Sequence, residues 1–262
     1  MFFSQTYKNW ELILINDAST DDSLSLIKKY LSDDRVKIVH HKRNLGQSSS
    51  LNTGLNLVDT PFLIQLDADD WFYKDTLKVL VKEAKKLPEE VGLISGNINF
   101  VFENNAGKKI KQKIKKGRAF NEKYEFLLAN RSVWSRFYRT AALKEVGGWP
   151  IDGPYNGRYV EDLRVLFYLI ERYRFHWIDK PMLNHRRHEN NQTNKMELLG
   201  EVVEWAIKDT LQRWGNEFEP IITTDEEGWT IVTGLKTKTM PKNILSEILS
   251  EPKSRKYKIA YY

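Results

Sequence analysis

The stretch LIQLDADDW (63–71) runs an apolar segment into three carboxylates, Asp67, Asp69 and Asp70, within four positions. Carboxylates crowded into a cleft repel one another and raise each other's pKa. A hard divalent cation, Mn²⁺ or Mg²⁺, removes that cost. It takes oxygen ligands, and one or two carboxylates leave room on it for a diphosphate. The plainer reading has Asp69 or Asp70 capping the helix expected near Asp75, or solvated in a turn. A second pair, Glu161 and Asp162, heads an apolar run at helical spacing (Leu163, Leu166, Phe167, Ile170) after the glycine-rich GGWPIDGPYNGRY. Carboxylates suit helix N-termini on electrostatic grounds, so the pair reads either as a helix cap or as a general base and its neighbour. A third cluster, HRRHENNQT (185–193), places His185 at the end of a probable strand and His188 in the polar loop after it.

These groups need elements to aim them. ELILIN (11–16) is a short continuous apolar run, as in a strand buried on both faces. Helical spacing follows in Leu24, Ile27, Tyr30 and Leu31, with Ser19, Thr20 and Asp21 as caps. RVKIVHH (35–41) predicts a strand, 46–58 a helix opening on Gly46, PFLIQL (61–66) a strand, 75–87 a helix and 91–102 one or two strands. This alternation predicts an α/β layered, Rossmann-like fold with a mostly parallel central sheet. Ligands of such sheets sit beyond the carboxyl ends of the strands. Three such ends are polar: Asn16-Asp17, His40-His41-Lys42-Arg43-Asn44 and Asp67-Ala68-Asp69-Asp70.

With 262 residues, 41% hydrophobic and 12% aromatic, the chain can bury a real core. It has no Cys, so disulfide and thiolate chemistry are excluded, which suits a reducing, cytoplasmic setting. No apolar run is long enough to span a membrane, and the first residues lack the pattern of a signal peptide. The net charge of +6 fits either ordinary solubility or attraction to an anionic ligand or surface. The basic run KKIKQKIKKGR (108–118) reads as a solvated hairpin or loop, or as a contact for an anionic acceptor polymer or the inner face of a membrane.

NDASTDDS (16–23), KRNLGQSSSLNTGL (42–55), LDADDW (66–71), VGGW (146–149), YVEDLRVLFYL (159–169) and HRRHENNQT (185–193) occur in this order. Together they resemble the family-2 glycosyltransferases with the GT-A fold, over roughly residues 5 to 195. The resemblance implies a nucleoside-diphosphate sugar donor, a divalent metal and inversion at the anomeric carbon. It implies that Asp17 contacts the nucleoside, that Asn44 and Asn52 belong to the helix facing the donor, and that Asp67 and Asp69 form the DxD pair. Asp67 would face the ribose or the metal region and Asp69 the metal and diphosphate, with Asp70 beside them. Asp162 would be the base and Glu161 its support. His188 would complete the metal site, and Arg186 and Arg187 would touch the diphosphate. Trp149 offers a flat apolar surface for an acceptor sugar, or else belongs to the core, as a lone Trp more often does, and its glycine-rich flanks would let the loop close over the acceptor. Two rivals stand beside this reading: a non-catalytic carbohydrate- or polyanion-binding module, and a nucleotidyltransferase on a similar sheet. The second would want a glycine-rich phosphate loop with a basic residue after the first strand, and none is visible. No nucleic-acid partner is expected, and the acceptor is open between glycan, lipid, protein and small molecule.

Two regions depart from the family pattern. The family opens with a strand and helix ahead of QTYKNWE, a strand central to its sheet, and here Gln5 is nearly the first residue. The expectation is that residues 256–261, another part of the tail or a neighbouring copy fills that place, or that a neighbouring domain is missing. Residues 196–262 exceed the resemblance and are expected to form a helical and hairpin extension to the domain of 1–195: an amphipathic helix over 196–214, a hairpin over 219–235 turning at Asp225–Gly228, and a short helix over 241–250.

Overall fold

The chain is described here from a computed structural model over residues 2–238, save 105, 131, 190, 192 and 193. In chain order the elements are β1 (Leu12–Asn16), α1 (Ser23–Ile27), β2 (Val36–His40), α2 (Gln47–Asn56), β3 (Phe62–Ile64), β4 (Trp71–Phe72), α3 (Thr76–Ala84), β5 (Val91–Glu103) and β6 (Lys109–Lys115). There follow α4 (Lys123–Leu128), β7 (Trp134–Arg139), α5 (Thr140–Glu145), α6 (Glu161–Leu169), β8 (Arg174–Arg187), α7 (Met196–Arg213), β9 (Phe218–Thr224) and β10 (Thr230–Thr237).

The central sheet has the order β3-β7-β5-β8-β4, with β6 also on β5. Its backbone is β5, one 13-residue strand where the sequence left one or two. β8 runs parallel along one edge of β5, while β7 and then β6 pair antiparallel along the other. The sheet is therefore mixed. The expected mostly parallel sheet holds only for β5–β8 and for β1–β2, because β3, β4, β6 and β7 all join antiparallel.

β1 and β2 form a separate parallel pair, and β9 and β10 a separate hairpin. Among the described residues β1 has no second neighbour, and β3 has none beyond β7. This corrects the reading of β1 as buried on both faces: all five of its residues are half-exposed, since a strand paired on one side keeps part of its surface in water. Residues 256–261, the expected filler, lie outside the described residues, as does the expected helix of 241–250.

The principal core joins α6 (Val165, Leu166, Phe167, Leu169) to Leu93, Tyr138 and Phe175 of the sheet, and to Ile207 and Leu211 of α7 and Val232 of β10. Residues 196–238 thus close the same core as the first 195. Each such aliphatic side chain contributes about 1.5–3 kcal/mol by leaving water. α3 covers the opposite face through Leu80 and Ala84 on Ile94 and Phe137. Gln5 is fully buried and ties the N-terminal segment down: its Nε2 donates to the Tyr73 carbonyl at 2.7 Å, and its Oε1 accepts from Leu77 N–H at 3.1 Å.

The glycine-rich loop before α6 is pinned rather than free. Ser48 Oγ donates to the Gly157 carbonyl at 2.8 Å. Arg164 donates from both terminal nitrogens to Asp152, each at 2.8 Å, and lies over the Trp205 ring. Gly157 has φ +68°, and a Cβ there would come within 2.4 Å of the Pro150 carbonyl and 2.6 Å of Ser48 Oγ. Gly157→Ala should therefore cost more than the roughly 1–2 kcal/mol of a left-handed alanine. Gly147→Ala is the reference, since Gly147 has φ +87° and open space where its Cβ would be. Urea denaturation should show the larger loss at position 157, and equal losses would mean the loop yields there at no cost.

Candidate functional site

Asp17 follows β1 and reaches across to the start of α2. Its carboxylate accepts the N–H of Leu45 and of Gly46, each at 2.8 Å, and lies 2.7 Å from His41 Nδ1. Burial would raise its pKa, but these donors together hold it below the usual carboxylate range. Asn44 donates to the Asp17 carbonyl at 3.2 Å and accepts from Arg158. Asp17 and Asn44 thus build the turn into α2, and Arg158 ties that turn to the loop before α6.

The three carboxylates after β3 separate into three environments. Asp70 is buried and accepts from His185 Nδ1 at 2.9 Å and from Arg186 N–H at 2.9 Å. It locks the turn to β8 and is not turned toward a ligand. Asp69 is half-exposed, with its Oδ2 3.3 Å from His188 Nε2 and 3.4 Å from Asn191 Nδ2. Asp67 receives Gln47 Nε2 at 3.4 Å. Its carboxyl is raised, first by burial; Arg136 opposes the rise, and the charges of Asp70, Asp162 and Asp69 add to it. Among the described residues no three His, Asp or Glu side chains converge closely enough to hold a metal unaided. Asp69 and His188 supply a pair, which fits a cation that draws its other ligands from a diphosphate.

The second carboxylate pair sits where expected, at the first two positions of α6. Asp162 Oδ2 lies 2.7 Å from Arg136 Nη1 on β7 and accepts from Ser132 Oγ at 3.1 Å. Glu161 beside it is buried, and its pKa is pushed up to about 8, first by burial and then by the charge of Asp162, with Arg136 pulling the other way. Arg136 is itself buried. Desolvation works against its charge, yet Asp162, Tyr138, Asp67 and Glu161 together raise its pKa. One guanidinium therefore faces three carboxyl groups drawn from β3's end and from α6.

Three expected contacts are corrected. Trp149 is only 2% exposed and packs edge-on against Tyr138 at 5.6 Å, so neither face is open to an acceptor. Asn52 is spent on it, donating to the Trp149 carbonyl at 2.7 Å and accepting its N–H at 2.9 Å. Arg186 pairs with Glu103 at 3.5 Å and lies over Trp71, on the sheet face away from His185, so only its backbone serves the site. Arg187 shares the face of His185. The sequence reading gave no role to Arg136, Ser132 or Asn191, and placed His41 only within a polar strand end. WSRFYR carried the signal for Arg136: a charge inside an aromatic strand needs a buried partner.

The comparisons with known proteins fit this geometry. The model of glycosyl transferase family 2 matches residues 2–147. GlyA of Streptococcus pneumoniae serotype 4, a glycosyltransferase, is 29% identical over 164 residues, 62% of this chain and 22% of GlyA. EpsE of Bacillus subtilis is 39% identical over 85 residues, 32% of this chain and 31% of EpsE. The chain thus spans under a third of the length of either relative. Among solved structures, S. aureus TarS 1–349 in complex with UDP-GlcNAc superposes with a TM-score of 0.59 at 20% identity, covering 79% of this chain and 60% of that one. The mannosyltransferase PcManGT from Pyrobaculum calidifontis, in complex with GDP-Man and Mn²⁺, gives 0.57 at 16% identity, covering 80% and 58%. With a GT-A fold, a family match over more than half its length and carboxylates at the ends of β3 and the start of α6, the chain belongs to glycosyl transferase family 2.

Proposed function

We propose that the chain transfers a sugar from a nucleoside-diphosphate sugar to an acceptor hydroxyl, with inversion and with the help of a divalent metal. The observation that carries this reading is Asp162, presented at a helix start between Arg136 and Ser132, on the same side as the carboxylates that follow β3. Asp162 takes the acceptor's proton as its oxygen attacks the anomeric carbon, and the bond to the diphosphate breaks with its electron pair leaving on the diphosphate. Ser132 and Arg136 hold that carboxylate in one orientation. Glu161 stays protonated near neutral pH, so Asp162 does not face a second negative charge from its neighbour. Asp69 and His188 would hold the metal, which when bound neutralises the charge of the departing diphosphate. The relatives' ligands make UDP and GDP the first nucleotides to test.

Asp69→Ala should abolish metal-dependent binding of UDP or GDP in calorimetry while leaving the fold intact, because its side chain stands outside the core. His188→Ala should weaken binding less. Unchanged Mn²⁺ dependence in Asp69→Ala would place the metal elsewhere, and binding of glycans without metal or nucleotide would favour a carbohydrate-binding module.

Asp162→Asn keeps the shape but cannot take a proton. Nucleotide binding should survive, and transfer should fall by roughly 10²- to 10⁴-fold, the usual contribution of a general base. A larger loss in Glu161→Gln than in Asp162→Asn would reverse the assignment of the pair.

Glu161 also sets a pH dependence of stability. In the unfolded chain it loses its proton near its ordinary value of 4.5, and in the fold it keeps it up to about 8. Between those values the folded state binds more protons, so stability falls as pH rises through that window. Glu161→Gln should flatten the fall in Tm between pH 5 and pH 8.5. The same slope in parent and variant would show that Glu161 ionises normally.

A further inference from the structure

The loop before α6 is strained at a point where its packing gives nothing in return. Tyr155 and Asn156 lie in the left-handed region, at φ 59° and 52°, and so does Val160, at φ 59°. Bulky and β-branched side chains rarely adopt that backbone. Val160 has a structural reason, because it turns the chain into α6. Tyr155 has no such reason, and its side chain is 48% exposed, so burial does not offset the strain. Glycines take the left-handed positions at 153 and 157, on either side of it. Strained residues of this kind gather at ligand clamps.

Tyr155 and Tyr159 form a corner: their ring centroids are 5.5 Å apart and their planes stand at 83°. The corner is fastened to both rims of the site. Arg158 donates to the side-chain oxygen of Asn44 and, at 3.3 Å, to its carbonyl, at the turn that Asp17 closes. On the other side Lys195 Nζ stands 5.7 Å over the Tyr159 ring. Asn194, the residue before it, donates to the His188 carbonyl at 3.2 Å, and His188 meets Asp69. Tyr159 is three positions before Asp162, whose side chain is 28% exposed and so within reach of a ligand.

Residues 151–160 carry two charges, and both are engaged within the protein. Asp152 pairs with Arg164, and Arg158 is bonded to Asn44. The loop therefore presents aromatic faces and phenol hydroxyls rather than charge. A tyrosine joins a flat apolar body to a polar tip. A pyranose ring has the matching chemistry, with C–H bonds on its face and hydroxyls around its rim. A single exposed tyrosine needs no ligand to explain it; the strained backbone and the paired rings set this corner apart.

We propose that Tyr155 and Tyr159 receive a sugar ring of a neutral glycan acceptor and hold it with a hydroxyl toward Asp162. The inference rests on the transfer reaction proposed above and names the class of its acceptor, an uncharged oligosaccharide of pyranose rings. The corner supplies the aromatic surface that Trp149, buried against Tyr138, does not.

The test measures binding of three neutral tetrasaccharides, built from glucose, mannose and N-acetylglucosamine, to the full chain by saturation-transfer NMR. It is run with Mn²⁺ and UDP or GDP present, and with tetragalacturonate as the anionic comparison. At least one neutral tetrasaccharide should bind, and more tightly than tetragalacturonate. Tyr155→Ala and Tyr159→Ala should each weaken that binding by about tenfold, as loss of an aromatic anchor does. Tyr155→Phe keeps the ring and should keep most of the affinity. Ile221→Ala, at an exposed apolar residue of β9, should leave it unchanged. Absence of binding to all three, tighter binding to tetragalacturonate, or equal binding by the parent and either alanine variant would overturn the proposal. Mn²⁺-dependent UDP or GDP binding, measured by calorimetry on the same samples, should survive in every variant. Its absence in the parent chain counts against the transferase reading, whereas loss of the tyrosine effect with nucleotide binding intact counts against the corner alone.

Discussion

Arg136 is the charge around which the site is arranged. A buried guanidinium is costly unless paired, and a set of neighbouring carboxyls is costly unless neutralised. Each half of the cluster resolves the other's cost. Arg136 comes from β7, whose next two residues, Phe137 and Tyr138, are paired with β3 on one side and β5 on the other, so the strand that carries it is held on both sides. Asp67 comes from the turn after β3, next to β7, and Glu161 and Asp162 come from the first turn of α6. The ion pair therefore fixes the distance between the strand end after β3 and the helix start of α6. The environment also divides the labour within the pair on α6: Asp162 takes the guanidinium and the serine hydroxyl, and Glu161 takes the burial.

Two further carboxylates serve as fasteners. Asp17 closes the turn into α2 with two backbone N–H groups and a histidine, and Asp70 closes the turn into β4 with His185 and a backbone N–H of β8. Both sit at strand ends, where the backbone leaves the sheet and its polar groups need new partners. This answers the crowding of charge after LIQL in physical terms. Asp70 is neutralised inside the protein, Asp67 is held near Arg136, and Asp69 is left half-exposed beside His188.

The strands and helices that carry chemistry were legible from periodicity and caps: β1, β2, α2, α3, α6, α7 and the β9–β10 hairpin fall near their expected places. The carboxylate positions were legible because acidic residues at strand ends and helix starts have few other reasons to cluster. Side-chain direction was not. Asn52 and Trp149 sit in motifs that face a ligand by sequence, but their mutual hydrogen bonds and the Tyr138 contact turn them into core. Arg186 and Arg187 are adjacent, so a strand sends them to opposite faces, and only register with β5 decides which face is which. Arg136 was missed because a single charge in an aromatic strand names no partner until β7 is placed beside β3.

The β1–β2 pair is the part of the fold with the least support from its own sheet. Two short parallel strands are not stable alone, and β1 keeps its apolar residues half-exposed. What holds the pair lies outside the sheet. Trp10 is nearly buried under the Arg35 guanidinium at 3.9 Å and meets Phe3 at 5.5 Å, and Phe3 stacks on Tyr30 at 4.9 Å. Phe2 then reaches Phe72 of β4 at 5.8 Å, so the aromatic chain runs from the pair to the central sheet. At the other end Asp17 joins β1 to α2, and Asn52 joins α2 to the loop before α6. The β1–β2 lobe is thus fastened at two ends, whereas the Arg136 cluster is built on β7 and α6, beside the principal core. Local opening draws on regions with few buried apolar contacts, so it starts in the β1–β2 lobe and leaves the Arg136 cluster intact.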